Sequence, residues 1–238
     1  MIDQSKLKVR IFADGADRGG MLAMYRNPLV SGFTTNPTLM RKAGVTNYES
    51  FAREILVAIP DRPISFEVFS DELDEMYDQA LKIASWGTNV YVKLPVTNTR
   101  GESIVPLIRR LAPKGVKMNV TALFTHHQIE EVSAALADAM PSNISVFAGR
   151  IADAGIDPLP IMQHALAVMA PHKQQELIWA SPRELYNLVQ AHDIGCHIIT
   201  VTNDIIAKLP NLGKDLTVFS LDTVKMFRND ALAAGFSI

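Results

Sequence analysis

Short apolar runs rich in β-branched residues recur along the chain, separated by longer stretches in which apolar positions return every three or four residues. The runs predict strands at residues 9–13, 29–34, 64–68, 89–94, 117–123, 144–148, 176–180 and 196–201. Most are continuously apolar rather than alternating, as parallel strands covered on both faces are. The amphipathic stretches 47–59, 72–86, 125–139, 158–170 and 182–192 predict helices between them. Start signals accompany several: Ser70 precedes Asp71 and Glu72, Thr125 precedes a polar first turn, and Ser181 stands as a capping serine before Pro182. Eight β/α units predict an α/β fold, a (β/α)8 TIM barrel. The chain reads as one domain over residues 1–238, with residues 221–238 a C-terminal helix on its own or a neighbouring barrel. A doubly wound open sheet is the alternative, but Gly15, Gly19 and Gly20 after the first strand do not have the spacing of a dinucleotide fingerprint.

Composition narrows the class. Apolar residues make up 48% of the chain and charged ones 20%, an ordinary balance for a globular protein with a sizeable core. The formal net charge of -2 and the lack of any basic, aromatic-interleaved cluster argue against nucleic acid as a partner. Nowhere do 18 apolar residues run together and no apolar leader opens the chain, so the expectation is a cytoplasmic protein without a membrane partner. The single Cys196 excludes an internal disulfide and reads as a small buried filler. The ten methionines, Met21, Met24 and Met40 among them, read as gap-fillers between helices and barrel. His126-His127 reads as a solvated helix start rather than a metal site, because adjacent helical residues point different ways.

One residue breaks the apolar pattern where it matters most. Lys93 stands at the end of the strand Asn89-Val90-Tyr91-Val92-Lys93-Leu94. Burial disfavours a charged amine, and the neutral form is the one that attacks a carbonyl to give a Schiff base. A lysine that snorkels to solvent or pairs with an acid is the plainer reading of the residue taken alone.

In a (β/α)8 barrel the catalytic groups stand at the carboxyl ends of the strands, and the polar residues gathered there change the balance. Asp14 ends the first strand, Thr35 and Asn36 the second, Glu67 lies in the third, Asn119 and Thr121 in the fifth, Ser145 and Arg150 flank the sixth, Ser181 ends the seventh, and Thr202 and Asn203 the eighth. Each has a structural role open to it as a turn former, cap or edge residue. Together with Lys93 they supply an amine and acids in reach of it, the apparatus of imine chemistry.

These residues resemble the family of transaldolases and fructose-6-phosphate aldolases. Phe12-Ala13-Asp14 is similar to the family's first strand, Thr34-Thr35-Asn36-Pro37-Thr38 to its T-T-N-P-[ST] signature, and Val92-Lys93-Leu94-Pro95 to its Schiff-base segment. Asn119-Val120-Thr121-Ala122-Leu123-Phe124 resembles the N-x-T-x-x-F strand, and Ser145-Val146-Phe147-Ala148-Gly149-Arg150 the S-x-F-x-G-R segment. The resemblance implies catalysis without a metal or other cofactor, on sugar or sugar-phosphate substrates, in a homo-oligomer of carbohydrate metabolism such as the pentose phosphate pathway. It assigns imine formation to Lys93, general acid/base work to Asp14, and a water to Glu67 and Thr121. Substrate contacts fall to Thr35, Asn36, Asn119, Ser145, Phe147, Arg150, Ser181 and Arg183.

Glu67 and Phe147 resemble the transferring members, whereas the aldol-cleaving members carry Gln and Tyr there. Transfer of a dihydroxyacetone unit is therefore the expected reaction, with cleavage to free dihydroxyacetone and a catalytically inactive sugar-binding barrel as alternatives. One segment departs from the family. Trp179-Ala180-Ser181-Pro182-Arg183 is shorter than its A-S-F-[KR] counterpart, so Arg183 is either a displaced anion ligand or a solvated arginine, and a sulfonated, carboxylated or neutral sugar remains open beside a phosphorylated one.

Overall fold

The computed structural model describes residues 6–238. Eight parallel strands close into a barrel in chain order: β1 (Arg10–Asp14), β2 (Val30–Thr34), β3 (Ile64–Glu67), β4 (Val90–Pro95), β5 (Met118–Leu123), β6 (Ser142–Val146), β7 (Gln175–Trp179) and β8 (Ile198–Val201), with β8 pairing back onto β1. Around them lie α1 (Arg18–Tyr25), α2 (Pro37–Lys42), α3 (Tyr48–Ala58), α4 (Leu73–Ala84), α5 (Val105–Leu111), α6 (His126–Ala135), α7 (Ala148–Asp153), α8 (Leu159–Met169), α9 (Tyr186–Asp193), α10 (Asn203–Ile206) and α11 (Leu216–Ala233). The (β/α)8 barrel expected from the alternation of patterns is the fold, in a single domain.

Strand alternation divides the apolar residues into two cores. Outward positions such as Ile11, Phe33, Phe66, Val92, Val120 and Ile144 join the large core between sheet and helices, together with Met21, Met40 and Cys196. Inside the barrel a separate small cluster of Phe12, Ile178, Ala180 and Ile198 fills the side formed by β1, β7 and β8, and Phe147 packs against it. The opposite side is polar. Burial pushes the Cys196 thiol up to about 12, so the filler reading holds.

Several helix ends differ from expectation for local reasons. Thr125 caps α6 in a full capping box with Gln128, as its sequence implies. Helix α4 begins later than residue 72, yet Ser70 Oγ still accepts the Glu72 N–H at 3.2 Å. Ser181 is not a cap. It takes a left-handed backbone (φ 59°), and the helix begins only at Tyr186, with Asn187 Oδ1 accepting the N–H groups of Arg183 and Glu184 at 2.7 and 3.2 Å.

Two glycines are fixed by close approach. Gly32 lies against the Phe12 ring, where an added Cβ would come within 2.5 Å of its edge. Gly149 packs on the chain after β7, and a Cβ there would meet the Ser181 carbonyl oxygen at 1.6 Å.

The C-terminal helix α11 stands apart. None of its residues is buried, and Val218, Phe219, Leu221, Val224, Met226, Phe227 and Leu232 are exposed. Among the described residues no helix is long and apolar enough to cross a membrane.

Because the contact at Gly149 is with backbone rather than a movable side chain, Gly149→Ala is expected to cost about 1–3 kcal/mol, the usual range for overpacking. Urea unfolding of the two proteins measures it, and equal midpoints would show that the segment after β7 yields freely.

Candidate active site

The strand register sets the inward polar residues side by side at one end of the barrel. Asp14 pairs opposite Thr34, Glu67 opposite Lys93, Lys93 opposite Asn119, and Pro95 opposite Thr121. Lys93 is 7% exposed and lies within β4 rather than closing it. A buried ammonium needs partners. Its Nζ stands 3.0 Å from Glu67 Oε2 and donates to the Thr35 carbonyl at 3.1 Å. Snorkelling to solvent is thus not its arrangement.

Asp14 completes the centre. Burial pushes its carboxyl above the usual range, and the nearby Lys93 ammonium and the hydroxyl of Thr34 pull in the opposite direction without cancelling the rise. Glu67 is held from behind: Tyr48 donates its hydroxyl to the Glu67 carbonyl at 2.8 Å, and burial holds that phenol well above its ordinary range, which keeps it a donor. The Tyr48 ring packs edge-on against Phe66 and Phe69 and beside Trp86.

Thr121 Oγ1 is buried with no hydrogen-bond partner, a polar atom available to a ligand or water. The next residue, Ala122, has φ 62°, and β5 there sets three residues against two of β6. Such bulges and left-handed residues are costly and concentrate at functional sites. Ser181, the other non-glycine residue with positive φ among those described, closes β7 at the same end of the barrel.

The remaining expected residues divide. Asn119 and Ser145 meet below the mouth: Ser145 Oγ donates to Asn119 Oδ1 at 2.7 Å, and Asn119 Nδ2 to Ser65 Oγ at 2.9 Å. Phe147 faces the apolar side of the barrel, with the Arg150 guanidinium over its ring at 5.3 Å. Asn36 caps α2 through Oδ1, 2.9 Å from the Leu39 nitrogen, which leaves its NH₂ for a ligand. Thr35 spends its hydroxyl on the Ser65 carbonyl, so it acts through its own carbonyl on Lys93 and not as a side-chain ligand.

Arg183 is exposed, as the solvated alternative expects, and it is also paired. It lies in the loop before α9, where Nε and a terminal nitrogen form a fork on the Asp153 carboxylate, whose acidity this raises. The histidines lie away from this centre: His126 stacks on His164 with ring centroids 4.3 Å apart, and His164 meets Glu130.

Sequence reading passed over Tyr48, Ser65 and Thr200. Ser65 and Thr200 had a visible signal as polar residues at inward positions of strands β3 and β8. Tyr48 had none, because only packing carries a residue of α3 behind β3.

A parallel eight-stranded barrel with a buried lysine, paired acid and second carboxylate at the carboxyl end of its strands defines the class of (β/α)8 barrels with a charged centre at that end. The family profile described as Transaldolase/Fructose-6-phosphate aldolase matches residues 11–237, and the chain belongs to that family. It is 33% identical over 202 residues to a "Probable transaldolase" of Dehalococcoides mccartyi (84% of this chain, 90% of that one). It is 34% identical over 218 residues to a "Probable transaldolase" of Streptococcus agalactiae (90% and 97%). Among solved structures the barrel is similar, at 10% identity and TM-score 0.58, to a "putative dihydrodipicolinate synthase family protein" from Coccidioides immitis (82% of this chain, 67% of that one). It is likewise similar, at 11% identity and TM-score 0.58, to KGPDC from Streptococcus mutans (83% and 89%). These two likenesses concern the fold. The chain is an enzyme-family member of the aldolase/transferase type.

Replacing Asp153 by Asn should release Arg183 from its ion pair and leave Arg150 and Arg183 as an unopposed cationic pair. We expect inorganic phosphate to inhibit turnover at several-fold lower concentration in Asp153→Asn, and an unchanged inhibition constant would place Arg183 outside the reach of bound substrate.

Proposed function

We propose that this protein transfers a dihydroxyacetone unit from a ketose, a ketose phosphate in the first instance, to an aldose through a Schiff base on Lys93. The observation that carries the reading is Lys93 itself: a buried amine 3.0 Å from Glu67, in the electrostatic reach of Asp14, at the catalytic end of a barrel of this family.

Each step has a group to perform it. Glu67 takes a proton from the lysine ammonium, and the neutral amine attacks the ketose C2 carbonyl. Loss of water, assisted by Glu67 and a water on the free Thr121 hydroxyl, gives the protonated imine. Asp14 accepts the C4 hydroxyl proton as the C3–C4 bond breaks. The bonding pair moves into the imine to form an enamine, and an aldehyde leaves. An acceptor aldehyde then takes the C3 carbon, Asp14 returns the proton to the new hydroxyl, and water releases the product ketose from Lys93.

Transfer rather than release of free dihydroxyacetone is favoured by Phe147. Its ring offers no proton to the enamine and covers the apolar side of the barrel mouth, so the enamine persists until an acceptor arrives. Arg150 lies on that ring and would bind the anionic end of the sugar, since Arg183 is engaged by Asp153. The reading also sets the protein in a homo-oligomer. The apolar residues spread over α11 find no cover on their own barrel, and a second copy supplies it.

Borohydride added during incubation with fructose 6-phosphate should fix a reduced three-carbon adduct on Lys93, seen by intact mass and peptide mapping, and Lys93→Ala should show none. An adduct that persists in Lys93→Ala removes the lysine from the mechanism. Asp14→Ala should still trap substrate while losing turnover by about 10²–10⁴-fold. Because burial raises the Asp14 carboxyl and the base form is needed, the acid limb of kcat/KM should fall above the ordinary aspartate value near 3.8. A second measurement concerns assembly: light scattering should give a mass above one chain, and Phe227→Asp should lower it. A monomer at all concentrations would refute the role given to α11.

A further inference from the structure

Two threonines that the reaction scheme leaves unused flank the proposed acid/base. β1 is paired by β2 on one side and β8 on the other, and each neighbour sends a hydroxyl inward next to it. Thr34 is 2% exposed and Thr200 7% exposed. Thr34 Oγ1 lies 2.7 Å from Asp14 Oδ1, and the two threonine oxygens are 2.5 Å apart.

Proton counting gives the chain a direction. Each hydroxyl has one proton to donate. With Asp14 ionised, the Thr34 proton belongs to Oδ1, so the proton between the two threonine oxygens must come from Thr200. The result is a run of donors from Thr200 to Thr34 to the carboxylate, in which each bond polarises the next. A proton arriving on Oδ1 would confront the Thr34 hydroxyl and force both bonds to reverse, whereas a proton on the other oxygen leaves them intact.

We propose that Thr34 and Thr200 are positioning residues that fix Oδ1 of Asp14 as an acceptor and so reserve Oδ2 as the oxygen that takes and returns the substrate proton. The inference rests on the acid/base reading of Asp14 given above. It explains why Thr200 breaks an otherwise apolar strand beside Phe12, Ile178 and Ile198.

Few charged groups compete for the carboxyl. Lys93 acts on it, and Glu67 is paired with Lys93. Arg10 lies at the opposite end of β1, 2.5 Å from Glu176. Asp17 caps α1, Arg18 is 3.9 Å from Glu54, Asp204 accepts from Thr202, and Lys42 on α2 is exposed.

The test is the pH dependence of kcat/KM for Thr34→Val and Thr200→Val, beside Thr34→Ser and Thr200→Ser, with fructose 6-phosphate as donor and glyceraldehyde as acceptor. Removing a donor to a carboxylate makes it a stronger base, so the acid limb should move to higher pH. We expect a shift of about one pH unit in Thr34→Val, the usual size of a hydrogen bond to a charged group, and a smaller one in Thr200→Val. The serine variants, which keep the hydroxyl, should stay near the parent profile. An unmoved limb in Thr34→Val, or equal shifts in the serine and valine variants, overturns the proposal. Should a variant be too slow for a profile, the Asp14 carboxyl titration followed by carbon-13 NMR must show the same upward shift, and its absence has the same force. Borohydride trapping on the parent protein separates the two layers: no adduct defeats the Schiff-base reading, whereas an adduct with unmoved profiles defeats the threonine assignment alone.

Discussion

A lysine ammonium enclosed in a barrel is the constraint on which the rest of this site depends. The cost of removing such a charge from water is several kcal/mol even after relaxation, and it is met only when an opposite charge and further acceptors are in place. Here Glu67 supplies the charge and the Thr35 carbonyl the additional acceptor. Neither partner is free to wander. The Glu67 backbone is held by Tyr48, and the Thr35 backbone by its own N–H and hydroxyl, both on the Ser65 carbonyl.

That constraint spreads through the barrel because neighbouring strands share register. Placing Lys93 opposite Glu67 on one side and Asn119 on the other commits the inward positions of β3, β4 and β5 to polar residues. Ser65, Asn119 and Ser145 then bond to one another rather than remain unsatisfied. The remaining volume, around β1, β7 and β8, is filled by Phe12, Ile178, Ala180 and Ile198. The interior thus has a polar half and an apolar half that Phe147 extends to the mouth. Among the described residues the positive-φ non-glycine backbone lies at the rim, at Ala122 and Ser181, where the chain must turn out of the sheet without withdrawing Thr121 or disturbing the packing on Gly149.

Much of this was readable in the sequence, residue by residue. Lys93, Asp14, Glu67 and Thr121 were marked by polarity at strand ends, and the structure places all four at one end of the barrel. Thr35 was marked for its place, and the fold adds what its hydroxyl does, which is to tie β2 to β3. Arg183 illustrates the converse. Its position after a strand suggested anion binding or solvation; it is exposed, and Asp153, thirty residues earlier in the chain, pairs with it there. The capping role assigned to Ser181 failed because close packing against Gly149 outweighs a local N-terminal preference.

By itself the sequence determined the order and type of the elements, the closure into eight β/α units and the lysine that stands within an apolar strand, because these depend on hydrophobic period and on charged residues that break it. The tertiary structure decided which oxygen meets which proton. Thr200 reaching Thr34, Tyr48 reaching behind Glu67 and Asp153 claiming Arg183 are contacts between residues about twenty to well over a hundred positions apart, and their distances are set by sheet register and helix packing, which no local pattern encodes.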